Sequence, residues 1–113
     1  MNLEHQVKSG ALNVKVLDKR MDARGAPEFK EKVGALIKAG NRFIALDLSE
    51  VEFIDSSGLG ALVSILKLLG GHGEIAIGGV RETVASLFKL TRLDKVFQMY
   101  ADPGMALNAV SGR

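Results

Sequence analysis

The strongest constraint on the fold is the hexapeptide FIALDL at positions 43–48, in which polar residues do not alternate with apolar ones. A strand exposed on one face alternates, whereas a strand covered on both faces is apolar almost throughout. The run therefore predicts a central strand in a parallel or mixed sheet with helices packed outside it. The chain has 113 residues, 47% of them apolar and 25% charged, which suits one domain with an ordinary core.

The segments around this run alternate between strand and helix patterns. Residues 11–17 alternate and follow a Ser9-Gly10 turn signal, so they are predicted to form a hairpin with residues 3–8. Residues 18–25 are charged and are interpreted as a loop. Apolar residues recur at helical spacing in three further segments, and two short apolar runs indicate strands. The predicted helices lie near 27–39, 57–69, 80–90 and 105–110, and the later strands near 75–77 and 96–100.

This order of elements predicts an α/β sandwich. Alternating strands and helices favour one sheet with helices packed on it, and the opening hairpin makes that sheet mixed. We expect four to five strands and about four helices. Residues 1–113 contain no repeat or linker-like stretch, so a single domain is predicted.

Composition excludes several functional classes. The chain has no cysteine and only two histidines, so thiolate chemistry and multi-histidine metal sites are excluded, and no cofactor is expected. A net charge of +2, one Tyr and no Trp give no indication of direct nucleic-acid binding. The first residues do not resemble a signal peptide, and no apolar run is long enough for membrane insertion. We therefore expect a cytoplasmic protein.

The segment DSSGLG at positions 55–60 combines a carboxylate, two hydroxyls and two glycines between a strand and an apolar helix. Such strand-to-helix turns often carry function, and a helix N-terminus tolerates a phosphate. The same residue types also make an ordinary helix cap, so both interpretations stay open. On the helix that follows, Leu59, Ile65 and Leu68 lie off the main apolar stripe, which is formed by Leu62, Val63, Leu66 and Leu69. They are either exposed for a partner or buried on a second face.

Residues 46–60, LDLSEVEFIDSSGLG, resemble the signature of the anti-sigma factor antagonists, which are single STAS domains of bacterial partner-switching systems. The resemblance implies a STAS-like sandwich, phosphorylation of Ser56, and Ser57 as its helix-capping neighbour. Family members often have a Gly-Glu-Leu-Asp-like turn after the second strand; here Lys19 replaces the glycine and Asp22 matches the acidic end. The resemblance implies a partner surface formed by Asp22, Asp55, Ser56, Ser57, Gly58, Leu59 and Gly60.

The resemblance also implies a mechanism that needs no catalysis by this chain. The unmodified protein would bind an anti-sigma factor that is also a serine kinase of the histidine-kinase-like ATPase type, and this would release the client of that kinase. Phosphorylation of Ser56 would abolish binding, and a serine phosphatase would restore it. The alternative is a non-switching STAS subunit or scaffold, for example in a lipid-transport ABC complex.

Other enzymatic or signalling classes fit the residues poorly. Ser56 does not lie in the Gly-x-Ser-x-Gly turn of a serine hydrolase, and only His5 and His72 could act as its base. A phosphate-binding loop of the Gly-x4-Gly-Lys-Ser/Thr type is absent from the sequence. A receiver domain would need an acidic cluster after its first strand, where only Asp18 is present before two basic residues.

Overall fold

A computed structural model describes residues 1–112 and has helices on both faces of a central sheet. The seven strands are β1 (Leu3–Lys8), β2 (Ala11–Val16), β3 (Arg20–Met21), β4 (Phe43–Asp47), β5 (Phe53–Ile54), β6 (Glu74–Gly78) and β7 (Gln98–Tyr100). The four α-helices are α1 (Ala26–Lys38), α2 (Ser56–Leu69), α3 (Glu82–Leu90) and α4 (Pro103–Val110). A short 3-10 helix spans Leu93–Lys95. The predicted α/β fold with four helices is confirmed.

The main sheet has five strands in the order β1-β2-β4-β6-β7 and is mixed, as predicted. The first two strands form the antiparallel hairpin, and the remaining neighbours pair in parallel. The apolar run at 43–48 supplies β4, which lies between β2 and β6 and is almost completely buried. A strand in that place has no solvent-facing side, which explains why its sequence does not alternate.

The two faces of the sheet carry side chains of different size. Large residues such as Ile44, Leu46 and Ile77 point into the main core, which also includes residues of α1, α2 and α3. The alternating positions carry Ala45 and Ala76, which pack against α4 together with Ala11. Because a strand places successive side chains on opposite faces, one sequence pattern sets both surfaces. The small residues leave room for α4 to lie close to the sheet.

Sequence-local signals set the ends of the helices. Pro27 occupies the first turn of α1, where its missing N–H has no helical partner to lose, and Phe29 and Val33 bury the inner face. Helix α2 ends at Gly70, whose φ of 57° lies in the left-handed region that glycine adopts readily. Asp102 caps α4 by accepting a hydrogen bond from the Met105 N–H.

Helices α1, α3 and α4 shift by one or two residues at their ends from the predicted ranges, and three further differences concern the site and the sheets. The expected loop at 18–25 contains β3, which pairs with β5 in a separate two-stranded parallel sheet. Helix α2 begins at Ser56, one residue earlier than expected. The expected strand at 96–100 shortens to β7 because the 3-10 helix precedes it and Phe97 turns inwards to contact Phe88 edge to face, with ring centroids 6.2 Å apart.

Candidate functional site

Asp55 organises the turn between β5 and α2. Its backbone is extended, and its Oδ1 accepts hydrogen bonds from the N–H groups of Ser57, at 2.9 Å, and Gly58, at 3.1 Å. The Asp55 carbonyl accepts the Leu59 N–H as well. Asp55 is therefore the helix cap, and the expectation that Ser57 is the capping residue is wrong. Ser57 already belongs to the helix, where its own N–H needs an acceptor.

Ser56 is the first residue of α2, and its side chain is exposed. Its hydroxyl makes no hydrogen bond with any residue of the part that the structure describes, 1–112. The rigid cap beside it fixes the position of its backbone. Ser56 thus presents a free hydroxyl at a fixed place on the surface, which is what a modifying enzyme requires of an acceptor.

Gly58 and Leu59 lie on the inner side of the same turn, and both are buried. A Cβ at Gly58 would stand 2.3 Å from the carbonyl oxygen of Met21 and 2.7 Å from Cγ1 of Ile54. Glycine is therefore required for the helix to approach β3 and β5 closely. The two residues lie beneath the surface of the turn, whereas Ser56, Ser57 and Gly60 are exposed on that surface.

Asp22 reaches the site through the pairing of β3 with β5. Met21 is paired with Ile54 in the parallel two-stranded sheet of β3 and β5. Asp22 and Asp55 directly follow these two residues and therefore lie at the same end of this small sheet. The Asp55 N–H donates to the Met21 carbonyl at 3.4 Å and ties the two segments together. The sequence prediction that Asp22 lies near Ser56 agrees with this register.

The charge of Asp22 is held by its neighbours. Burial raises the pKa of its carboxyl group, but the Arg24 backbone N–H at 3.1 Å and the Arg20 guanidinium at 3.3 Å lower it, and the net pKa lies below its ordinary value. The carboxylate is consequently ionised at neutral pH. Two negative groups, Asp22 and Asp55, thus lie at the rim of the turn that carries Ser56.

The outer side of β3 and β5 carries further charged and aromatic residues that the sequence prediction did not include. The Arg20 guanidinium lies over the Phe53 ring, 4.1 Å from its centroid, and Phe53 is 40% exposed. Glu52 lies between Lys19 at 3.7 Å and Arg81 at 3.9 Å. A two-residue strand carries no periodic pattern, so no sequence signal distinguished it from the surrounding loop.

A surface groove runs between α1 and α2, beside the exposed face of the turn at residues 55–60. Its volume is about 940 Å³, and its lining includes small residues of both helices and the positively charged Lys30, Lys38 and Lys67. Leu68, which is 43% exposed, lies at this groove, whereas Leu59 and Ile65 are buried. The expectation that Leu59 and Ile65 lie off the main apolar stripe is wrong, because both are buried with Leu62 and Leu69 on the inner face of α2. Of the three residues expected off the stripe, Leu68 alone is exposed.

The histidines do not join this site. His5 lies on β1 and His72 in the turn after α2, and both are exposed. Within residues 1–112 no group of three His, Asp or Glu side chains could hold a metal ion. No helix in that part of the chain is long and apolar enough to cross a bilayer.

Replacing Asp55 tests its role as the cap. We expect Asp55→Ala to lower the free energy of unfolding by about 0.5–2 kcal/mol, because two helix N–H groups lose their acceptor. Asp55→Asn is the matched control and keeps the acceptor oxygen, so it is expected to stay close to the wild type. Urea unfolding followed by circular dichroism measures both variants. Equal stability of the alanine and asparagine variants would contradict the assignment.

These features define a small α/β module with an exposed hydroxyl at a capped helix start, and the chain belongs to the STAS domain family, whose model matches residues 3–106. It is 35% identical over 98 residues to the anti-sigma factor antagonist TM1081 homolog of Thermotoga neapolitana, covering 85% of this chain and 87% of that protein. Its identity to the anti-sigma-B factor antagonist of Staphylococcus aureus is 33% over 94 residues, covering 82% and 86%.

A solved structure agrees with these relatives. The crystal structure of an anti-sigma factor antagonist from Mycobacterium paratuberculosis superposes with a TM-score of 0.88 at 28% identity, covering 96% of this chain and 92% of that one. The resemblance to the anti-sigma factor antagonist family that residues 46–60 indicated is therefore confirmed.

Proposed function

We propose that this protein is an anti-sigma factor antagonist controlled by phosphorylation of Ser56. In its unmodified form it binds an anti-sigma factor that is also a serine kinase of the histidine-kinase-like ATPase type, and this releases the client of that kinase. The observation that carries the proposal is the free, exposed hydroxyl of Ser56 on a turn whose backbone Asp55 fixes. The named relatives support the partner class.

The electrostatics of the turn explain how one phosphate could block binding. A phosphoryl group adds about −1.5 to −2 charges and three strong acceptor oxygens. The N–H groups of Ser57 and Gly58 already bond to the Asp55 carboxylate, and that of Leu59 bonds to the Asp55 carbonyl. These three amides are therefore not free to bind a new anion, which differs from the expectation that this helix start accommodates a phosphate. A phosphate on Ser56 would stand next to the Asp55 carboxylate and face outwards.

A partner that covers Ser56 would have to desolvate this charge without a compensating group from the turn. Each 1.4 kcal/mol of that cost weakens binding about tenfold, so a few kcal/mol suffice for a switch. No change of fold is required, because Ser56 is exposed and its hydroxyl holds no part of the structure together. The switch would act through the surface charge alone.

The exposed residues around Ser56 define the surface that the kinase would contact. Ser57 and Gly60 continue from Ser56 along α2 and line the groove between α1 and α2, and Leu68 lies further along it. Asp22 and Asp55 complete the surface on the side of the small sheet, above the buried Gly58 and Leu59. In this proposal the chain acts as a binding module in the cytoplasm rather than as an enzyme. A serine phosphatase that acts on phospho-Ser56 resets it.

The experiment that tests the proposal is phosphorylation by candidate kinases encoded in the same genome, followed by mapping of the modified residue by mass spectrometry. We expect one phosphate, on Ser56, and no incorporation into Ser56→Ala. Ser57→Ala is the matched control, because it removes the neighbouring hydroxyl of the same turn, and it should still be modified. Stable binding of the kinase without any modification would instead favour a non-switching STAS subunit.

A further inference from the structure

The hairpin leaves one edge of the main sheet open. Strand β1 is at the end of the strand order and pairs with β2 on one side only, and within residues 1–112 no strand covers its other edge. The side chains from Glu4 to Lys8 are all exposed, including Val7 at 59%. An uncovered edge of six residues presents unpaired N–H and C=O groups that can pair with another strand.

Two observations determine which backbone groups of β1 point outwards. The Leu17 N–H donates to the Asn2 carbonyl at 2.9 Å. Because hydrogen-bonded and non-hydrogen-bonded pairs alternate in an antiparallel ladder, the even-numbered residues of β1 form their backbone hydrogen bonds with β2. The two-residue turn Ser9-Gly10 has φ values of 51° and 80°, and such a turn is flanked by a hydrogen-bonded pair, here Lys8 with Ala11. The N–H and C=O groups of Leu3, His5 and Val7 are therefore directed at the open edge.

The sequence of β1 is complementary to itself in one antiparallel arrangement. If Gln6 lies opposite Gln6 of a second copy, then His5 faces Val7 and the outward backbone groups of both residues meet. In the same arrangement Glu4 faces Lys8, twice by symmetry. These positions do not exchange backbone hydrogen bonds, and side chains approach most closely at such positions. A shift by two residues keeps the backbone pairing but places Glu4 opposite Gln6.

The side-chain faces fit this arrangement as well. Leu3 packs against the main core, and a hollow of about 440 Å³ beside it is lined by side chains that include His5, Val14 and Leu36. The exposed Val7 of a second copy would stand opposite His5 and diagonal to Leu3, over this hollow. Pairing would thus remove an exposed apolar side chain from water on one face and join opposite charges on the other.

We propose that two copies of this chain associate through β1 in antiparallel pairing centred on Gln6, which joins two five-stranded sheets into one of ten strands. The interface is a closed two-fold contact, so it forms a dimer and not a fibre. It is small, and the association is accordingly weak and concentration-dependent. Charged side chains often protect an edge strand from pairing. Here the charges of Glu4 and Lys8 instead favour one partner, a second copy of the chain, in one register.

Charge exchange between Glu4 and Lys8 tests the pairing. Sedimentation is measured from about 10 µM to about 1 mM protein, a range suited to weak dimers. We expect Glu4→Lys or Lys8→Glu alone to weaken self-association roughly tenfold, because two attractive pairs become repulsive. The double variant, Glu4→Lys with Lys8→Glu, restores attraction and should return to the wild-type value. Thermal unfolding verifies each fold, since Glu4 also lies opposite Lys15 of β2.

A proline variant tests the backbone part. Val7→Pro removes an outward N–H and leaves the β1–β2 hydrogen bonds intact, so we expect a folded monomer. A monomeric wild type over the whole concentration range would overturn the proposal, as would a double charge variant as weak as the single ones. None of these variants touches Ser56, so failure of the dimer and failure of the proposed switch are distinguishable. Phosphorylation by the kinase should proceed equally in Val7→Pro.

Discussion

Ser56→Asp is expected to bind the cognate anti-sigma factor at least about tenfold more weakly than the wild type, and the phosphorylated protein about 100-fold more weakly. The aspartate places one negative charge next to Asp55, and the phosphate places nearly two there. Both charges must lose water when a partner covers the turn, and the nearby amides are already occupied by Asp55. Ser56→Ala should bind as the unmodified protein does. Isothermal titration calorimetry of the purified proteins measures all four affinities.

Ser57→Asp provides the control for charge alone. Ser57 is exposed in the same helical turn, but its side chain leaves the helix in a different direction. If Ser56 is the switch, the same added charge at position 57 should weaken binding less than at position 56. Loss of binding by Ser56→Ala in the presence of kinase and ATP would show that another residue carries the switch. Equal affinities of the phosphorylated and the unmodified protein for the anti-sigma factor would refute the proposed switch.

Gly58→Ala is expected to reduce the free energy of unfolding by about 1–3 kcal/mol. Alanine is the better helix former by about 1 kcal/mol, so helix propensity predicts the opposite sign. Packing outweighs it because the new Cβ would meet the Met21 carbonyl at 2.3 Å, and a backbone oxygen cannot move aside without disturbing β3. Urea unfolding monitored by circular dichroism measures the change.

Gly60→Ala is the matched control, two residues further along the same helix. A Cβ at Gly60 meets nothing within 4 Å, so only the propensity term acts. We expect this variant to gain up to about 1 kcal/mol of stability. A lower free energy of unfolding for Gly58→Ala together with a higher one for Gly60→Ala would support the close approach of α2 to β3. A similar gain for both would contradict it.

The sheet could be predicted because its strands carry patterns that only their environments explain. The apolar run at 43–48 indicated a strand covered on both faces, and the Ser9-Gly10 turn indicated the hairpin. Both predictions hold in β4 and in the pair of β1 with β2. Helix α1 was equally clear, since its apolar residues and Pro27 agree on the same segment.

The strand-to-helix turn at residues 55–60 was predictable from the sequence, but its internal contacts were not. Residues 55–60 carried the residue types of a helix start, but only the three-dimensional structure shows that Asp55, not Ser57, accepts the helix amides. Strand β3 has two residues and no period, and it exists because Met21 finds a pairing partner in Ile54, far along the chain. The arrangement of Arg20 with Phe53 and of Asp22 with Asp55 follows from that distant contact.

The unequal faces of the sheet also limit how the chain can misfold. At the centres of β4 and β6 two isoleucine or leucine residues flank an alanine, and the large side chains face α1 and α2 while the alanine methyl groups face α4. A one-residue slippage of either strand would exchange these sides, crowding the C-terminal helix while opening voids beneath the other two. Each misaligned register is thus destabilised in two ways, by steric overlap on one face and by cavities on the other. The alternation of large and small side chains therefore favours the native alignment of both strands.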